Sequence, residues 1–136
     1  METRTGDLGP LRPHLHEGAY AFARRAHGPG LDGLAELGVV ATMWEEEGLT
    51  LVLPLQRAQS AGLEVLFEAA WITLQAATAL DAVGLTAAFA TALAEQGISC
   101  NVIAGASHDH VFVDEARGEE ARQILAAIEW GAADGA

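Results

Sequence analysis

The run from Ile98 to Val113, ISCNVIAGASHDHVFV, constrains this chain more than any other. Apolar and polar residues alternate through Ile98–Ala104, Gly105-Ala106-Ser107 breaks the pattern, and alternation resumes through His108–Val113. That is the pattern of two antiparallel strands joined by a tight turn. Just before it, Leu85, Phe89, Ala92 and Leu93 share one helical stripe, and Gly97 supplies a stop. Thr78 suits the N-cap of that helix, with Asp81 three residues on as its capping-box partner. A strand at Trp71–Leu74 precedes the helix, and a last helix starting near Ala116 carries Ala121, Ile124, Leu125 and Ile128 on one face. The order β-α-β-β-α places helices on one face of an antiparallel sheet.

The first half repeats this plan weakly. Gly18–Arg24 alternates as a strand, His27–Gly38 is a glycine-rich loop with at most a short helix at Leu31–Leu37, and Val39–Trp44 and Leu49–Leu53 form a hairpin about Glu45-Glu46-Glu47-Gly48. Pro54 opens a short helix that Gly62 ends. Leu63, Val65 and Phe67 alternate in a further strand, separated from Trp71–Leu74 by a break at Ala69–Ala70. The expected organisation is a tail at 1–17, a first unit at 18–68 that is incomplete or exchanges a strand, a second unit at 69–130, and a disordered tail at 131–136.

A chain of 136 residues folds without disulfide or metal support, and Cys100 is its only cysteine. No apolar run approaches the roughly 20 residues of a membrane span, and Met1–Leu15 lacks the features of a secretory signal, so a cytoplasmic protein is expected. Formal net charge is −12, with basic residues scattered apart from Arg24-Arg25. That balance disfavours nucleic acid and anionic membranes as partners.

The segments EEEGLTLVLP (Glu45–Pro54), LDAVGLTAAFATALAEQGISCNVIAG (Leu80–Gly105) and HDHVFV (His108–Val113) resemble a bacterial family of small tandem ACT-domain proteins. More distantly, Asp81, Gly84, Asp109 and His110 look like the pattern of the cytosolic arginine sensors. The resemblance spans Leu8 to Leu125 and implies an α+β, ferredoxin-like fold of tandem βαββαβ units, with antiparallel sheets and helices on one face. It also implies amino-acid binding at the loop between first strand and first helix. On this sequence that loop is Thr78, Ala79, Leu80, Asp81, Val83, Gly84 and Leu85, and the aspartate that meets a cationic ligand group is Asp109. Two departures fall at the inferred pocket: Ala77-Thr78-Ala79 replaces a His-Ser-Ser-type loop, and Ala106-Ser107 replaces paired aromatics.

The residues themselves leave several readings open. Free N–H groups at a helix start attract a carboxylate, yet every helix has such an end. Strand parity puts His108 and His110 on one face with Phe112, and Asp109 on the other with Val111 and Val113. Asp109 suits an ammonium or guanidinium group. The two histidines suit a transition metal only if other ligands join them, or else hydrogen-bond structurally. Glu46 and Glu47 either complete an acidic pocket or form a solvated hairpin tip. Cys100 reads as a small buried hydrophobe, and Trp44, Trp71 and Trp130 as core or interface residues.

The resulting expectation is a non-catalytic sensor that binds an amino acid between its two ACT-like units, homodimeric, without a cofactor or resident metal. The alternatives are a small enzyme or biosynthetic accessory protein using His108, Asp109, His110, the Glu45–Glu47 run and the inter-unit pocket for acid/base work, and a scaffold whose second unit only mediates association.

Overall fold

Two units, each with the strand order expected of a ferredoxin-like fold, make up the chain. A computed structural model describes residues 9–28, 30–76 and 83–129. One unit is Glu17–Ala69, and the other gathers the residues up to His16 with those from Ala70 onward.

The first unit runs β2 (Tyr20–Arg25), β3 (Ala41–Glu45), β4 (Gly48–Pro54), α1 (Leu55–Ser60) and the opening residues of β5 (Glu64–Leu74). Its strands lie in the order β3-β4-β2-β5, all antiparallel, with a register shift between Phe22 and Ala23. The hairpin forms as read from sequence, because Gly48 takes φ 151°, and a Cβ there would meet the Arg25 carbonyl at 2.8 Å. Pro54 is the N-cap of α1, which costs nothing because a helix start has no use for the N–H that proline lacks. Ala21, Ala23, Leu34, Leu49, Leu51, Leu53 and Ala58 form the core. Residues Gly30–Gly38 form turns in place of the short helix allowed for at Leu31–Leu37, and the Arg25 guanidinium ties the loop down at the carbonyls of Gly30 and Asp32.

The second unit takes the last residues of β5, then α2 (Leu85–Glu95), β6 (Cys100–Ala104), β7 (Asp109–Asp114), a 3-10 turn (Glu115–Arg117) and α3 (Gly118–Ala126). Its fourth strand comes from the other end of the chain: β1 (Pro13–Leu15) pairs antiparallel with β5, matching Pro13 to Leu74, His14 to Thr73 and Leu15 to Ile72. The order is β6-β7-β5-β1. The core is one cluster built on Leu11, Ile72, Leu74, Phe89, Leu93, Val111, Val113, Ala121 and Leu125.

Three sequence expectations change. The segment at 1–17, expected as a tail, contributes β1 within 9–16. The break expected at Ala69–Ala70 does not occur, and β5 runs unbroken for 11 residues. Ala70 is small because α3 starts against it: a Cβ at Gly118 would lie 2.7 Å from that of Ala70. Finally, α2 begins at Leu85 rather than near Thr78, because its N-cap Gly84 sits at φ 96°, a left-handed conformation that a right-handed helix cannot include. Thr78 and Asp81 lie outside the described residues. No helix among the described residues is long and apolar enough to cross a membrane.

Candidate functional site

The parity of β7 decides what its titratable residues can do. Val111 and Val113 enter the core beneath the helices, so His110 and Phe112 stand on the other face of the sheet. The same alternation on β5 sends Ile72 and Leu74 into the core and Trp71 and Thr73 to the opposite face. On β1, pairing sets His14 opposite Thr73.

These side chains form one network. The Trp71 indole N–H donates to Nδ1 of His110 at 3.1 Å, and Oγ1 of Thr73 lies 3.0 Å from the same nitrogen. Thr73 Oγ1 also lies 2.8 Å from Nε2 of His16. The His16 ring stacks on Trp71 with centroids 3.5 Å apart, His14 meets His16 edge-on at 4.7 Å, and Trp71 stacks on Phe112 at 6.1 Å. Because indole nitrogen only donates, His110 offers its Nδ1 lone pair and carries its hydrogen on Nε2. Burial, then the neighbouring His14 and His110, lower the His16 pKa to about 4. Burial, then His108, also lower that of His110, against a smaller opposing pull from Asp109. Both rings are neutral at pH 7.

Sequence reasoning anticipated His110 and missed His16, Trp71 and Thr73. The available signal was a second H-x-H, His14-Leu15-His16, with the spacing of His108-Asp109-His110.

Thr73 beside His110, with Trp71 beside Phe112, shows that β5 and β7 run in opposite directions. The end of β5, from which the chain leaves toward α2, therefore adjoins the start of β7, where Asp109 pairs with Ala104 of β6. Asp109 is half-buried. Of the other expected site residues, Thr78, Ala79, Leu80 and Asp81 lie outside the described set. Val83 is 89% exposed, Gly84 caps α2 without any side-chain hydrogen bond, and Leu85 is buried in the core. Glu46 and Glu47 are exposed at the hairpin tip of the first unit.

His108 is half-buried, with no hydrogen-bond partner for Nδ1 among the described residues. Among those residues no group of three or more His, Cys, Asp or Glu side chains gathers in a way that could hold a metal ion. The hydrogen bonds of His16, His27 and His110 go to a hydroxyl, a main-chain carbonyl and an indole, none to a carboxylate. Cys100 packs against the core, and burial raises its thiol pKa. Trp44, expected in a core or interface, stands 51% exposed on edge strand β3 and stacks on His27 at 5.9 Å.

Residues 8–70 and 66–127 each match a family model described as an ACT domain. A Vibrio cholerae protein of unknown function, described as a possible transport protein, is 48% identical over 93% of each chain, with a TM-score of 0.79. An Agrobacterium tumefaciens protein is 21% identical over 84% of this chain and 85% of its own, with a TM-score of 0.69. The ligand-free regulatory subunit of aspartate kinase from Thermus thermophilus is 15% identical over 87% and 97%, with a TM-score of 0.63. These last two share the fold. No curated protein is similar enough to the chain to count as a match.

Proposed function

The chain belongs to the ACT-domain family, with two such units in tandem, and from that membership we propose that it is a non-catalytic regulatory protein that binds an amino acid. Binding falls in the unit at 69–130. The segment Thr78–Leu85 receives the ligand's carboxylate, and Asp109 holds its cationic group. The protein works in the cytoplasm as a homodimer, and the ligand regulates it by favouring one arrangement of the protein over another.

One observation carries the reading. The hydrogen bond between Thr73 and His110 sets the departure of the chain from β5 beside the start of β7, where Asp109 stands. Two features of α2 add support. Its N-cap is a glycine, which has no side chain to cap the free N–H groups, and its first turn holds no acidic residue. A carboxylate is the natural partner for such an end, and Asp109, on the neighbouring strand, is the natural partner for an ammonium or guanidinium.

Thermal shift across the common amino acids tests this. One or a few of them raise the melting temperature, and Asp109→Ala abolishes the response. An unchanged response in that variant rejects the assignment.

A further inference from the structure

Four of the five histidines in the sequence occur as two H-x-H motifs, one running off the end of β1 and one leading into β7. Between those strands lies β5, which offers them Trp71 and Thr73, both uncharged. We propose that β1 is a pH-operated latch, held on β5 by the neutral forms of His16 and His110 and released when both rings take up protons.

The hydrogen-bond geometry leaves no room for an added proton on His110 Nδ1. That nitrogen has one lone pair, and the Trp71 N–H points at it from 3.1 Å. A proton arriving there sets two donors against each other, and the indole loses its partner. Oγ1 of Thr73 lies within hydrogen-bond reach of both Nδ1 of His110 and Nε2 of His16, so a change of hydrogen bonding at one ring is felt at the other.

Charge acts in the same direction. The titratable groups acting on His16 are His14, two residues before it, and His110 across β5, and both oppose a charge on its ring. Those acting on His110 are His108, which repels a second charge, and Asp109, which favours one.

The hold of β1 is thin enough for this to matter. The strand has three residues, the first of them a proline without an N–H, and pairs with β5. Three further main-chain bonds extend the pairing: His16 N–H to Trp71 at 2.9 Å, Gln75 N–H to Arg12 at 3.0 Å and Ala76 N–H to Leu11 at 3.2 Å. Release uncovers Leu11 and Leu15, which otherwise lie in or against the second-unit core.

Hydrogen-exchange mass spectrometry on the full chain tests the latch, comparing pH 7 with pH 4.5 after correction for intrinsic exchange. The segment 9–19 loses protection about ten-fold or more on acidification, while peptides covering β4 and α3 keep theirs. The double variant His16→Gln, His110→Gln keeps hydrogen-bonding groups but cannot take up protons there, and its protection at 9–19 is insensitive to pH. Constant protection in the natural chain, or an equal loss in the double variant, overturns the proposal. Side-chain nitrogen NMR of the natural protein gives an answer that needs no variant. The latch requires His110 to carry its hydrogen on Nε2 at pH 7 and both rings to titrate below ordinary histidine, and ordinary titration of either ring overturns it.

Discussion

Placing a methyl group at Gly118 pits two known effects against each other. Gly118 is the first residue of α3 and has ordinary helical dihedrals, so Ala would normally stabilise the helix, by up to about 1 kcal/mol and less in a first turn. Here the new Cβ would stand 2.7 Å from the Cβ of Ala70 and 3.3 Å from Cδ1 of Leu15. Two carbons rest at about 3.5–4.0 Å, so the first contact is short by about 1 Å. Leu15 can swing its side chain away. Ala70 cannot, because its Cβ is fixed to the backbone of buried β5. Relief therefore requires α3 to lift off the sheet, and overpacking of that kind costs about 1–3 kcal/mol. Gly118→Ala should lower stability by about 1–2 kcal/mol in urea denaturation, with an unchanged slope. Combining it with Ala70→Gly removes the opposing methyl, so the double variant should be more stable than the two single losses sum to, by about 1 kcal/mol. A Gly118→Ala protein as stable as the natural one, or a cycle without coupling, would refute the claim that α3 is seated on Ala70.

Two further outcomes are expected. Phe89→Ala empties the middle of the second-unit core and should cost about 3–5 kcal/mol in the same assay. Stability should also fall as pH drops from about 6.5 through about 4, because in that window the unfolded His16 binds a proton that the folded ring does not. Solvent screening of this half-buried ring reduces the full linkage to about 1 kcal/mol. The difference between the natural chain and His16→Gln isolates that contribution from carboxylate titration.

What the sequence disclosed, and what it hid, divides along local and distant causes. The hairpin at Glu45–Gly48, the helix opened by Pro54, and the parity separating His110 from Val111 and Val113 follow from neighbouring residues, and the structure shows each of them. The unbroken β5 was hidden because Ala69-Ala70 has weak strand propensity, and the reason for alanine at position 70 lies at Gly118, far along the chain. Strand β1 was hidden because three residues beside glycine and proline carry no periodicity, and only β5 gives them a partner. The start of α2 was misplaced because Thr78 and Asp81 spell a good cap, whereas the backbone of Gly84 fixes the boundary. Of the candidate site, His110 and Asp109 were legible from the HDH motif. His16, Trp71 and Thr73 were not, since their meeting depends on strand order rather than spacing.

The most direct measurement of the binding claim is amide chemical-shift mapping of the isotopically labelled protein, titrated with each amino acid that shifts its melting temperature. Saturable changes at Gly84–Thr86 and at Asp109–His110, with the same apparent Kd, are the predicted result. Changes confined to one of those segments, or centred in Glu17–Ala69, would contradict it.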